Sequence, residues 1–279
     1  MRPSRASSTA RGTAATRARE TEKPADVRIC NDPMAARLAG PVFLFFIKLF
    51  ARYGERRTHG ALTFIACRQR YIDDFLRGCL ADFTSQVVIL GAGLDSRAYR
   101  DEVPTVKFFE IDHPATQAAK IRRLRRMMDR IPGHVTFVPV DFDSETLDKL
   151  TSFGFDASAK TLYIWEGVTP YLAPESVDAT LAWVGAHSAA GSSIIFDYQH
   201  DAAPERSFLS TLLSRISGEV RALQISENRI SDFLKERGFS NIVNVGPQQL
   251  RSLYCVGPNR NRNVPDIYSI ASAEVAGGA

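Results

Sequence analysis

"VVILGAGLDSRAYR", residues 87–100, is the stretch whose reading decides the fold. Four apolar residues, Val87–Leu90, run straight into a glycine-rich turn, the pattern of a buried strand that ends abruptly. Gly91 and Gly93 let the chain turn sharply and let a ligand approach the backbone. The turn is almost G-x-G-x-x-G, with Ser96 at the third glycine position. A dinucleotide protein seats its pyrophosphate at the N-terminus of the helix that follows such a turn. Asp95 conflicts with that use, because a carboxylate there repels a diphosphate but not a ligand with a cationic end.

The next strand ends carry more acids. "FFEIDHP" places Glu110 and Asp112 nineteen and twenty-one residues after Gly91, and an acid about twenty residues beyond the glycines is where ribose hydroxyls are held. "VPVDFDSETL" ends a third strand at Asp141, whose carboxylate suits an adenine amino group, with the Phe142 N–H beside the ring. The blander reading of Asp141 is helix capping, which Asp143 or Ser144 also supplies. "YIWEGVTPYL" ends a fourth strand at Glu166. Each acid alone is an ordinary strand-end charge. Together they describe an acidic crevice suited to a cationic, phosphate-free nucleoside such as S-adenosylmethionine.

Strand patterns at Val87–Leu90, Val106–Ile111, Val135–Val140, Leu162–Trp165 and Ser193–Phe196 alternate with helical stretches at Pro114–Asp129, Ser144–Phe153 and Pro174–Ser188. That alternation predicts right-handed βαβ units. "SENRISDFLKERG" reads as a helix capped by Ser226 and stopped by Gly238, followed by two more strands. The fold class expected is α/β, a doubly wound, mostly parallel seven-stranded sheet of Rossmann-like type.

Before the sheet the chain reads as helical. A turn at Asn31-Asp32-Pro33 precedes a short helix closed by Gly40-Pro41. Phe43, Phe46, Phe50 and Tyr53 follow at spacings of three, four and three, one stripe on a helix. Core packing is the favoured role of that stripe, and a lid over an apolar substrate is the sharper one. "CRQRYIDDFLRGCL" continues as an amphipathic helix with its charges outward. The expected organisation is a disordered basic tail over 1–12, a helical cover or lid over 13–84, and a cofactor-binding domain over 85–279 with a helical insert near 199–225.

Residues 1–19 contain five arginines and no acid, which suits a floppy tail or an organelle transit peptide, the tail being favoured. A net charge of +4 makes no case for nucleic acid. "IRRLRRMMDR", residues 121–130, reads as a solvated helix face. "PVFLFFIKLF" is too short to span a bilayer and is interrupted by Lys48. The four cysteines, none in a C-x-x-C pair, read as free thiols of a cytoplasmic protein. No metal cluster, Walker lysine or G-x-S-x-G elbow is apparent.

"VVILGAGLDSRAYR", "FFEIDHPATQAAK", "VPVDF", "WEGVTPYLAPESV" and "IIFDY", in this order, resemble the leucine carboxyl methyltransferase-like group. This is the bacterial branch described as class I S-adenosylmethionine-dependent O-methyltransferases, and the resemblance runs from about residue 13 to about residue 275. It implies that Gly91, beside Gly93, lines the methionine part of S-adenosyl-L-methionine. It also implies that Asp112 holds the ribose with Glu110 as a neighbour, that Asp141 and Phe142 hold the adenine, and that Glu166 faces the cofactor. Arg68 in "ACRQRYIDDF" matches an arginine that binds the methionine carboxylate, a use that suits a bidentate guanidinium. The family usually has threonine next, where this chain has Gln69. The blander role for Arg68 is a surface ion pair with Asp73 or Asp74.

The expected reaction is methyl transfer to a small-molecule carboxylate or hydroxyl. A carboxylate acceptor needs no base and only an orienting group, for which Tyr171 and Arg68 are the candidates. A hydroxyl acceptor benefits from a base, for which His200 comes first and Asp197 second. Two other classes compete: an NAD(P)-dependent oxidoreductase on a similar sheet, and a methyltransferase-fold module that binds without chemistry. Asp95 and the absent third glycine argue against the former, and the intact set Arg68, Asp112, Asp141 and Glu166 against the latter.

Overall fold

The structure, a computed structural model, describes residues 3–100, 106–200 and 225–277. Seven strands form one sheet: β1 Gln86–Leu90, β2 Lys107–Asp112, β3 Val135–Pro139, β4 Thr161–Trp165, β5 Ser193–Gln199, β6 Phe239–Val245 and β7 Tyr268–Val275. Their order is β3-β2-β1-β4-β5-β7-β6. The first five are parallel, and β7 runs antiparallel between β5 and β6. The order reverses at β1 and β4, and that switch point opens the ligand crevice of such sheets. Every residue of β1 and β4 is buried, as expected for parallel strands covered on both faces.

Alternate residues divide between the two layers. Val88, Leu90, Tyr163 and Trp165 pack toward α7 (Pro174–His187) and α8 (Ile230–Lys235). Val87, Ile89, Leu162 and Ile164 pack toward α4 (Ala61–Ala81), against Phe64, Cys67, Ile72 and Leu76. Full burial of one such aliphatic side chain contributes roughly 1.5–3 kcal/mol. Between β2 and β3, α5 spans Pro114–Met127. His113 starts it by accepting the Ala115 N–H, and Pro114 follows at the first helical position.

Several expectations are revised. A helix, α1, runs over Pro3–Thr21 where a tail was expected over residues 1–12. Its small residues explain the docking: Ala14, Ala15 and Ala18 are buried, and the first two pack with Leu38, Ala39, Leu94 and Leu124. The helix expected over Ser144–Phe153 shrinks to α6, Lys149–Ser152. Asp141 is the cause, because its carboxylate takes the Asp143 N–H and its carbonyl takes those of Ser144 and Glu145. This local turn competes with the helix. Ser226 makes no cap hydrogen bond, and a 3-10 turn over Glu227–Arg229 leads into α8. The insert expected near 199–225 lies largely outside the described residues.

The aromatic stripe is the largest surprise of the N-terminal layer. It sits on α3 (Pro41–Arg57), which follows α2 (Ala35–Ala39), but Phe46, Phe50 and Tyr53 point into solvent. The helix docks instead through Phe43, Leu44, Ile47 and Ala51. On α4 the division of charge also differs from the expected one. Arg70, Asp74 and Arg77 are outward, whereas Arg68 and Asp73 are buried. The remaining helix, α9, spans Pro247–Tyr254.

Candidate active site at the carboxyl ends of the parallel strands

The chain leaves β1 through Gly91 and Gly93, at φ of 68° and 45°. Both values lie in the left-handed region, which residues with a Cβ rarely adopt. Val168 from the turn after β4 closes over Gly91, where a Cβ would fall 2.4 Å from its Cγ2. Ala10 of α1 lies against Gly93. Asp112, at the tip of β2, accepts the Gly93 N–H and, at 2.7 Å, the N–H of His113. Burial raises its carboxyl pKa, and these two amides oppose the rise. Asp112 thus ties the glycine turn to the next strand while its side chain stays partly exposed.

The turn leads into a three-residue 3-10 turn, Arg97–Tyr99, not into a long helix. Among the described residues, no extended helix after β1 aims a dipole at the crevice. Asp95 also differs from its expected role. Its two oxygens accept from the Arg97 guanidinium at 2.5 Å and from the Arg97 N–H at 2.7 Å. Burial pushes the Asp95 carboxyl up, but Arg97 and then Arg17 outweigh it and hold the pKa below the usual range. A carboxylate neutralised in this way does not by itself exclude a diphosphate, so the discrimination first assigned to Asp95 does not hold.

Arg97 is 1% exposed and stands at the centre of an ion network. Besides Asp95 it donates to Asp73 at 2.6 Å and to Glu166 at 2.7 Å. Asp73 also takes Arg100 at 2.7 Å and accepts from the Gln69 amide. The Gln69 that departs from the family threonine is therefore part of this framework. Arg17 of α1 completes the frame, pairing with Asp32 at 3.1 Å and donating to the Leu94 carbonyl at 2.6 Å.

Arg68 occupies the next position along the crevice. Its Nε donates to Glu166 at 3.0 Å and its Nη1 to Asp197 at 2.6 Å. The surface ion pair with Asp73 or Asp74 is thereby replaced by a buried bridge between the ends of β4 and β5. Burial lowers the Arg68 pKa, but Asp197 and then Glu166 raise it further, so the guanidinium stays charged. Glu166 is lowered, since Arg97 and Arg68 overcome its burial. Burial raises Asp197, against Arg68 and the Gly167 N–H, which donates to it at 2.6 Å. Tyr171, in a 3-10 turn after β4, lies within the electrostatic reach of Arg68 and Asp197, and burial raises its phenol.

Asp141 and the partly exposed Phe142 follow the tip of β3, and the Phe142 ring stacks on Trp165 with centroids 6.3 Å apart. Two sequence candidates fall elsewhere. Glu110 points away from the crevice, 1% exposed, and pairs with Lys120 of α5 at 2.7 Å. The two acids share a face of β2, but Asp112 at the tip reaches the turn while Glu110, two residues earlier, is enclosed beneath α5. His200 shares the parity of Phe196 and Tyr198, hence the sheet face opposite Asp197. It is buried, with Nε2 2.7 Å from the Ser269 hydroxyl. The arrangement brings together Arg68, Tyr171, Glu166, Asp112 and the two glycines. It sets His200 and Glu110 apart.

From the sequence, Asp73 figured only as a surface partner of Arg68, and Arg97 and Arg17 had no role. Arg97 stood inside the glycine motif, and its signal was an arginine two residues from an acid in a buried turn. For Asp73 and Arg17 no local signal existed.

The donor set fits S-adenosylmethionine by its chemistry. A guanidinium fixed near neighbouring carboxylates suits a zwitterionic amino acid end. A partly exposed acid at the second strand tip suits a diol, and an aromatic ring beside Asp141 suits a flat base. Among the described residues no group of His, Cys, Asp and Glu is placed to hold a metal ion.

Sheet order and site position are those of the class I S-adenosylmethionine-dependent methyltransferase fold. A solved structure from Thermobifida fusca, titled as a provisional methyltransferase, superposes with a TM-score of 0.63 over 96% of this chain and 94% of that one, at 14% identity. The family is shown by sequence: the leucine carboxyl methyltransferase model matches residues 10–185, and the chain belongs to that family. A Streptomyces coelicolor relative, provisionally named an S-adenosyl-L-methionine-dependent methyltransferase, is 35% identical over 198 residues, 69% of each chain. A Mycobacterium avium relative named in the same way is 34% identical over 184 residues, 62% of this chain. That match takes in 61% of the mycobacterial protein's length.

Proposed function

We propose that this protein is an S-adenosylmethionine-dependent methyltransferase that esterifies the carboxylate of a small molecule. The observation that carries the reading is Arg68, held between Glu166 and Asp197 at the switch point of the sheet. When bound, S-adenosylmethionine supplies a methyl group on a sulfonium, ready for in-line displacement. The chain's own part is to position both partners. Asp112 binds ribose hydroxyls, and Asp141 with Phe142 takes the adenine. Arg68, kept cationic by its two acids, binds carboxylate oxygens, and Tyr171 beside it donates its hydroxyl to the acceptor carboxylate.

A carboxylate acceptor is favoured over a hydroxyl because it needs no base. The first candidate base, His200, lies on the opposite sheet face, and the second, Asp197, is engaged by Arg68 and Gly167. Calorimetric titration tests the cofactor: S-adenosylhomocysteine binds and NADPH does not, and the reverse result overturns the reading. Asp112→Ala weakens that binding by about 1–3 kcal/mol, the range for losing charged hydrogen bonds. Product chemistry tests the acceptor. A methyl ester releases methanol in mild base, whereas a base-stable product shows a hydroxyl acceptor.

A further inference from the structure

Among the described residues the outward face of α3 has no partner. Val42, Phe45, Phe46, Leu49, Phe50 and Tyr53 are each between 52% and 63% exposed. Their spacing of 3, 4, 7, 8 and 11 from Val42 puts all six on one side of the helix. Phe46 stacks on Phe50 and meets Phe45 edge-on, so the face is a continuous aromatic surface. A contiguous apolar patch of this kind marks an interaction site.

Among the described residues, the charges around it that lack an ion-pair partner are positive. Arg52, Arg56 and Arg57 are exposed along and beside the stripe, and no described acid pairs with them. Lys48 on the flank is matched by Glu22. Glu55, the only acid on the helix, turns its carboxylate to the Leu62 N–H and the Thr63 hydroxyl. The elements on the docked side of α3 carry further arginines. Arg11 of α1 lies 4.4 Å over the Phe43 ring, and Arg123 of α5 has Arg11, Arg122 and Arg126 as its electrostatic neighbours. Arg122, Arg125 and Arg126 are exposed, with Asp129 as the nearby acid in sequence.

We propose that the outward face of α3 docks this protein on an anionic lipid surface, with its aromatic side chains at the headgroup boundary and its arginines on the lipid phosphates. In-plane amphipathic helices combine these two features. A second copy of the chain is the poorer occupant. A twofold interface through this face would gather Arg52, Arg56 and Arg57 of both copies around it, with no free acid on either α3 to offset them. The contact is peripheral, since no helix among the described residues is long and apolar enough to cross a membrane.

Flotation of the full chain with vesicles tests the proposal, independently of any methyl transfer. The protein floats with phosphatidylcholine–phosphatidylglycerol vesicles, much less with phosphatidylcholine alone, and the binding weakens with added salt. Arg56→Ala with Arg57→Ala lowers the partition coefficient about 25-fold, at about fivefold per arginine. Phe46→Glu with Phe50→Glu abolishes it. Unchanged thermal melting shows that both variants are folded. Absence of binding to either vesicle overturns the proposal, as does binding that survives both variants. A dimer seen by light scattering that Phe46→Glu with Phe50→Glu dissociates, without vesicle binding, assigns the face to a second copy instead.

Discussion

Beneath the glycine turn, Arg17, Arg68, Arg97 and the acids Asp73, Asp95 and Asp197 are buried among one another. On α3, six large apolar side chains stand in solvent. Both regions invert the usual partition of polar outside and apolar inside, but for different reasons. The charges under the turn are internally matched, each arginine meeting one or more carboxylates at hydrogen-bonding distance. The aromatics of α3 are matched by nothing among the described residues. A buried polar cluster that satisfies itself fixes geometry, whereas an exposed apolar one that satisfies nothing points to something outside the fold.

The sharpest way to break this contrast is to unbalance the buried network. Arg97→Met leaves Asp73, Asp95 and Glu166 short of a partner, and removing one member of a buried ionic set costs about 3–5 kcal/mol. Urea denaturation measures it, and a loss below about 1 kcal/mol would mean that solvent reaches the network and the burial argument fails.

A second test uses pH. Burial lifts the Glu110 carboxyl to about 7, against the pull of Lys120, from an ordinary value of 4.5. The folded state then holds this proton more tightly than the unfolded state does. The stabilisation is complete below pH 4.5 and is lost as pH rises to about 7. Asp112 and Asp197, raised by burial as well, act in the same direction. Stability falls across that window by on the order of 3 kcal/mol. The double variant Glu110→Gln with Lys120→Met flattens most of the slope in denaturation curves taken at several pH values.

The smallest expected effect is on the other side of the comparison. Phe46→Ser on α3 changes stability by no more than about 0.5 kcal/mol, because the ring is already in water. A larger loss in thermal melts would show that the stripe packs against the chain after all, as its periodicity first suggested.

The strands were legible because parallel strands covered on both faces must be apolar, and Val87–Leu90 and Leu162–Trp165 are. The tips were legible too, since Asp112, Asp141 and Glu166 end strands whose register the sheet order then aligns. The pairings were not legible. Arg97 meets Glu166 across 69 positions of sequence and Arg68 meets Asp197 across 129. Nothing local distinguishes Arg68 from the solvated arginines of "IRRLRRMMDR". Glu110 and Asp112 looked interchangeable as ribose ligands until α5 covered one and left the other at the edge.

By itself the amino-acid sequence determined the alternation of strand and helix, the glycine turn after the first strand and the acids that follow it. These depend on periodicity and on backbone freedom, which are local properties. Only the tertiary structure decided that Asp95 is neutralised, that His200 faces away, that Arg68 spans two strand ends and that the aromatic side of α3 turns outward. Those outcomes depend on which distant side chain arrives within about 3 Å, and on which of two apolar helix faces finds a surface to bury against. A helix with apolar residues on both sides carries no local instruction for that choice.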